Sequence, residues 1–347
     1  MLIGVQKDGG GFQNKWVESL AKHGALVKSL DLLAADPLEQ VRGCDGVMWH
    51  WEHYPYDRRF AARPILLVIE KELGIPVFPD FRTAWHFDDK IAQAYLLSAL
   101  EIPSPKTWVF WDRDQAEQWA RTAAYPVVAK LATGAGSTNV KLIRNVREAR
   151  SHIAAMFSRA GIIGDGLHPG KPTFKGLAKD VAQRMLGAAG YLLLKKYPAL
   201  PRQYWMPQKN YVLFQEFLPD NTFDTRVTVI GDRAFGYRRF NRPDDFRASG
   251  SGNFDVDPSK ISPSCVRLAF DAASRLRSQS MAFDILYSGP EQKPVIVEIS
   301  YCYVDWMVQK CPGHWDSTLS WHEGPLWPED AHVQDFLKQI ETGKSRK

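Results

Sequence analysis

Apolar residues in the first eighty positions alternate between two periods. Leu2–Gln6 is a short apolar strand run, followed by Gly9, Gly10 and Gly11. Phe12–His23 places Phe12, Trp16 and Leu20 on one helical face. Ala25–Leu30 and Gly46–Trp51 are further strand runs, and Pro76–Pro79 closes a fourth after a helix over Ile65–Leu73. Strands alternating with helices predict a parallel, Rossmann-like α/β domain over residues 1–85. The glycine cluster behind the first strand reads as a turn, with a phosphate cradle as the alternative.

The pattern then changes. A helix is expected over Phe87–Leu100, with Asp88 or Asp89 as its cap, ending before Pro103 and Pro105. Strands at Thr107–Trp111, Val127–Leu131 and Val140–Ile143 and helices at Asp112–Ala123 and Asn145–Phe157 predict an α+β lobe over residues 86–210. Its last part, 161–210, is poorly periodic and rich in Gly, Pro and Lys; it reads as an insertion with one helix, Lys175–Leu194. Residues 211–347 predict an antiparallel second lobe. Tyr211–Leu218 is a strand, and Thr225–Ile230 and Ala234–Phe240 form a hairpin around Gly231-Asp232. A helix over Cys265–Gln279 precedes a second hairpin, Met281–Tyr287 with Pro294–Ser300. The tail from Tyr301 reads as irregular and aromatic, with a last helix near Val333–Ile340.

A chain of 347 residues is long enough for two or three packed subdomains. The net charge of +5 is spread along it, with no basic run, so nucleic acid is not an expected partner. No apolar run approaches a membrane span, and the N-terminus does not read as a secretory signal. Cys44, Cys265, Cys302 and Cys311 are far apart and form no CxxC pair. They predict reduced thiols and a cytoplasmic location rather than a disulfide or zinc framework. The twelve tryptophans read chiefly as core residues.

Four groups of residues suggest chemistry. In the second hairpin, pairing Leu286 with Ile296 sets Asp284 opposite Glu298. Directly opposed carboxylates repel, and a divalent cation would remove the conflict; hard oxygens on rigid strands suit magnesium held against phosphates. Two solvent-facing acids are the alternative. Lys130 ends a strand and is followed by a loop with Gly134, Gly136, Ser137 and Thr138, whose backbone N–H groups could approach an anion. It is not a P-loop, because the lysine precedes the glycines. Gln215-Glu216-Phe217-Leu218, stopped by Pro219, could offer backbone groups to an adenine edge. Asp224 and Arg226 share a strand face, and Arg238, Arg239, Arg242 and Arg247 follow, the last in a glycine-serine loop; clustered arginines suit bidentate phosphate or carboxylate contacts.

In this order, these segments resemble the ATP-grasp superfamily, especially its glutathione synthetase and ribosomal-protein glutamate ligase branch. The resemblance runs from about Pro79 to Ser300, with residues 1–85 in the place of the family's preceding domain. It implies that Lys90, in FDDKIAQAYLL, and Lys130 bind phosphate. It implies a nucleotide site at Ser137, Gln215, Glu216, Phe217, Leu218, Asp224 and Arg226, and catalytic roles for Arg238 and Arg247. The implied metal ligands are Asp284, Glu298 and Ser300. Serine stands where the family usually has asparagine, so a second magnesium is expected to bind weakly. The stretch between the glycine loop and Gln215 is also longer than usual.

The resemblance implies an ATP- and magnesium-dependent carboxylate–amine ligase working through an acyl-phosphate. Small-molecule or peptide acids and amines are the expected partners, and self-association is left open. Two alternatives remain: an ATP-grasp phosphotransferase and a non-catalytic nucleotide-binding protein. His50 and His53 read as structural. Substrate contacts are expected from Trp49–His53 and from the aromatic tail.

Overall fold

The computed structural model describes residues 1–7, 11–53, 56–134, 139–163 and 207–344. Ser137 and the expected helix Lys175–Leu194 lie outside the described residues. Three sheets carry the architecture. The first is parallel, in the order β2-β1-β3-β4, from β1 (Leu2–Gln6), β2 (Leu26–Leu30), β3 (Gly46–Met48) and β4 (Val77–Phe78). The strand expected over Gly46–Trp51 stops at Met48, because Trp49, His50 and Trp51 turn into the interior. The helix expected over Ile65–Leu73 begins at Tyr56 and runs to Lys71, with Pro64 inside it.

The second sheet is antiparallel, in the order β5-β10-β6-β7. It contains β5 (Thr107–Phe110), β6 (Val127–Lys130), β7 (Val140–Ile143) and β10 (Val212–Glu216). The short pair β8 (Ile162–Ile163) and β9 (Pro207–Gln208) stands apart. The strand at 211–218 thus pairs within the central sheet, between β5 and β6. Helices begin where short polar side chains accept the first free N–H groups: Asp89 from Ile91 and Ala92, Asp112 from Gln115, and Asn145 from Glu148. Each such cap stabilises by about 1 kcal/mol.

The third sheet holds β11 (Phe223–Ile230), β12 (Arg233–Phe240), β13 (Phe254–Asp255), β14 (Ser280–Ser288), β15 (Lys293–Ser300), β16 (Gly313–Asp316) and β17 (Trp321–Glu323). Both expected hairpins form, β11 with β12 and β14 with β15. The tail is less irregular than its sequence reads. It adds β16 and β17 to this sheet and then crosses back to the first domain as the helix Pro328–Lys344. Phe336, Leu337 and Ile340 of that helix share one core cluster with Ile3, Val5, Trp16 and Leu20. Among the described residues no helix is long and apolar enough to cross a membrane.

Glu329, in the first turn of the returning helix, is fully buried beside the Asp305 carboxyl. Lys15 Nζ lies 3.8 Å away but is also bonded to Asp305. Burial pushes the Glu329 pKa up to about 8 from 4.5. The fold therefore holds a proton that the unfolded chain releases, so stability falls as pH rises between those values. Glu329→Gln is expected to flatten this loss and to be more stable than the parent at about pH 9 by roughly 1–3 kcal/mol. Urea unfolding at about pH 5 and about pH 9 checks this; parallel profiles for the two proteins would count against it.

Candidate functional site

The acid pair sits on β14 and β15, where Asp284 is the register partner of Glu298. The pairing beyond it is not the regular one expected. Ile285 pairs with Ile296 and Leu286 with Val295, so Val297 is the extra residue of a bulge. Its carbonyl is met by Lys130 Nζ at 3.4 Å.

The repulsion between the acids is relieved by protein cations. Arg226 is the partner of Asp284 on the other side, in β11. It binds Asp284 through two bonds of 2.6 and 2.8 Å. Arg239 Nη2 reaches Asp284 Oδ2 at 2.7 Å and is bidentate to Asp224 at 2.7 and 2.6 Å. These four groups form a neutral network buried to a large degree. Burial alone would raise the Asp284 carboxyl, but the two guanidiniums hold it well below the usual range. Glu298 instead faces Lys90 at 3.4 Å and keeps 38% of its side-chain surface exposed.

The two lysines come from different elements. Lys90 opens the helix Lys90–Ala99 and is buried; its Nζ donates to Gly134 O at 2.8 Å, which ties it to the glycine loop. Gly134 N in turn donates to Asp88 Oδ1 at 2.7 Å, and Asp88 Oδ2 pairs with Arg59. Lys130 ends β6, and burial lowers its pKa to about 8. It remains mostly protonated near neutral pH, and a bound anion would favour that form further.

A cavity of about 130 Å³ lies between the second and third sheets. Val128, Val140, Leu218, Leu286, Val297 and Phe246 make its apolar walls, and Gln215–Leu218 form one edge. Lys130, Asp224, Arg239, Arg247, Asp284 and Glu298 line it too. The structure thus brings together most of the sequence-predicted residues, from both lobes. Gln215 and Glu216 are themselves anchored, Gln215 to Thr107 Oγ1 at 3.1 Å and Glu216 to Lys106 N at 3.2 Å. Arg247 is held by Asp245 and reaches Val140 O at 3.4 Å, bridging the lobes.

Arg238 lies elsewhere. Strand alternation turns it to the other face of β12, where it pairs with Asp255 at 2.5 Å and packs on the rings of Phe223 and Phe240. Its neighbour Arg239 lines this cavity and also a larger one of about 590 Å³. Arg239, Ala248, Ser249 and Glu298 are common to both. The period-two rule applied to β11 and β12 together would have selected Arg239, since Asp224 and Arg239 are register partners.

Magnesium takes near-octahedral oxygen donors, often few protein carboxylates together with phosphate and water. Glu298 lines both cavities with a partly exposed carboxylate and fits that role. Asp284 is engaged by two guanidiniums, and Ser300 Oγ is turned to its own backbone, donating to Cys302 O at 2.7 Å. Among the described residues no group of three or more His, Cys, Asp or Glu side chains could hold a metal ion. Of the three expected ligands, Glu298 thus presents a partly exposed carboxylate, while Asp284 and Ser300 are engaged in contacts of their own.

No protein-family model matches the chain. The alpha-aminoadipate–LysW ligase LysX of Saccharolobus solfataricus is 30% identical over 83 residues, which is 24% of this chain and 30% of that protein. The chain thus matches under a third of that relative's length. A RimK-domain ATP-grasp protein from Sphaerobacter thermophilus aligns over 97% of this chain and 100% of its own, with a TM-score of 0.54 and 16% identity. The D-alanine–D-alanine ligase of Bacillus anthracis complexed with ATP aligns over 99% of both chains, with a TM-score of 0.55 and 12% identity. At these identities the likeness is one of fold.

Proposed function

The chain has the ATP-grasp fold, and on that premise we propose that it is an ATP-dependent carboxylate–amine ligase. One observation carries the reading. A cavity with apolar walls and a strand hinge at its edge shares a wall with a larger cavity, and Arg239, Ala248, Ser249 and Glu298 belong to both. A nucleotide seated in the first would direct its phosphates to the shared wall, where a second substrate meets them.

In this reading adenine lies among Val128, Val140, Leu218 and Leu286, with its edge on Gln215–Leu218. Lys130 and Arg247, which line the cavity, neutralise phosphate oxygens, Lys90 acts through its contacts with Gly134 O and Glu298, and positioning with charge stabilisation supplies most of the catalysis. Magnesium held by Glu298 would further polarise the phosphates. The substrate carboxylate attacks the γ-phosphorus and ADP leaves. The amine then attacks the acyl carbon, loses a proton, and phosphate departs. Arg239, in place of Arg238, is positioned to stabilise the oxyanion, provided it relaxes one of its two ion pairs.

The test is a matrix of carboxylic acids and amines scored separately for ADP and phosphate. Ligation predicts phosphate release only when both an acid and an amine are present. ADP formation without an amine requirement would favour a phosphotransferase. Tight ATP binding with no turnover on any pair would favour a non-catalytic nucleotide-binding protein.

A further inference from the structure

The larger cavity has a second end, chemically unlike its phosphate wall. It lies past the carboxyl ends of β1 and β3, where open parallel sheets present loops to ligands. The chain leaves β3, buries His50 to 4% exposure, and surfaces at Glu52. Both residues line the cavity. Neither ring nitrogen of His50 has a hydrogen-bond partner. A buried, unsatisfied imidazole is costly and calls for a ligand or another reason. Burial keeps the ring uncharged, with its pKa pushed down to about 3.

The fold takes trouble to place this ring. Gly11 has φ +59°, and a Cβ added there would lie 2.0 Å from His50 Nδ1. Only glycine allows both that backbone and that approach. The glycine cluster therefore serves, at Gly11, the placing of an imidazole. On the other side Phe12 packs against His50 at a centroid distance of 4.1 Å and against Tyr303 at 5.4 Å.

The charges of the cavity are nearly all answered. Arg226 and Arg239 are bound to Asp284 and Asp224, Glu298 faces Lys90, and Asp305 is paired with Lys15. Glu52 is exposed and has no side-chain partner among the described residues. Phe12, Tyr303 and Trp306 line the same space with aromatic surface. A carboxylate beside an uncharged imidazole and aromatic rings repels anions and suits a cation.

We propose that this end captures the ammonium form of the amine substrate, which sheds its proton and reaches the shared wall to react: Glu52 provides the counter-charge, His50 accepts a hydrogen bond, and Phe12, Tyr303 and Trp306 receive the carbon skeleton. The assignment names a substrate class for the ligase reading and rests on it. It predicts an amine with an apolar or aromatic body.

Binding to the full chain, without nucleotide, tests the site directly. The probes are 2-phenylethylamine, 3-phenylpropanoate and 2-phenylethanol, followed by ligand-observed NMR titration near neutral pH. The amine is expected to bind at least about tenfold more tightly than the carboxylate. Glu52→Gln should weaken the amine by about tenfold while leaving the alcohol within about twofold. His50→Phe, which keeps the ring and removes the acceptor, should weaken the amine by several-fold, with circular dichroism reporting that both variants fold. Equal binding of amine and carboxylate, no binding of the amine, or a Glu52→Gln variant with parental amine affinity would overturn the proposal. Ammonium selectivity without phosphate release on any acid–amine pair would sink the ligase reading and leave the site. Amine-dependent turnover indifferent to Glu52→Gln would sink the site and leave the reading.

Discussion

Glu298→Gln is expected to lower turnover by about a thousandfold or more, roughly 4 kcal/mol of barrier, without unfolding the protein. The residue lines both cavities, so in the proposed reading it would face the phosphate end of a nucleotide and the second substrate at once. Glutamine keeps the shape and one carbonyl oxygen but removes the charge that would hold magnesium. The structural cost should be small. Glu298 has a direct cationic contact in Lys90 at 3.4 Å, with Lys130 and Arg226 acting at longer range, and 38% of its side chain is exposed; such partly exposed contacts contribute about 1 kcal/mol or less. The measurement pairs steady-state ADP formation, on the substrates found by the acid–amine matrix, with urea unfolding. Activity within about tenfold of the parent would place the metal and phosphate chemistry elsewhere.

Asp284→Asn should behave in the opposite way on stability, destabilising the fold by about 3–5 kcal/mol. Asp284 is 5% exposed and is the shared partner of two guanidiniums. Asparagine removes the negative charge and leaves Arg226 and Arg239 buried with only Asp224 to balance them. Removing one partner of a buried ionic network is costly because the remaining charges lose their compensation. Urea unfolding at neutral pH reads the difference. A loss below about 1 kcal/mol would mean that the network does not hold these strands together. The two acids were equivalent as opposed residues in a hairpin. In the folded protein they separate into one that ties strands together and one that faces the two cavities.

Much of the fold is legible in the amino-acid pattern. Alternation of strands and helices marks the first domain, and Asp89, Asp112 and Asn145 mark helix starts through their own hydrogen bonds. The turns Gly231-Asp232 and Ser288–Lys293 place both hairpins, whereas Asp284 meets Glu298 only because Val297 bulges out of the regular register. Alternation, caps and turns are local signals, carried by residues within a few positions of one another. Lys130 and the hinge Gln215–Leu218 are legible because each is tied to a strand end or a proline stop, whereas Lys90 is singled out only through the family resemblance.

Features that depend on distant neighbours are not legible in this way. The strand at 211–218 inserts between β5 and β6, and the last helix crosses to the first domain, because their apolar faces are completed only there. Arg238 and Arg239 are adjacent in sequence, and only the pairing of β12 with β11 shows that Arg239 faces the cavities. Arg226 neutralises Asp284 from a strand 58 positions away. His50 and Glu52 acquire their setting from Gly11, Phe12 and Tyr301, brought together across the chain. What the sequence alone determined is the set of elements and the chemical types at their ends, since hydrogen-bonded turns, caps and side-chain alternation are local. Which charges meet, and which stay unanswered inside a cavity, was decided by tertiary structure, because burial and Coulomb interactions depend on distance in space rather than along the chain.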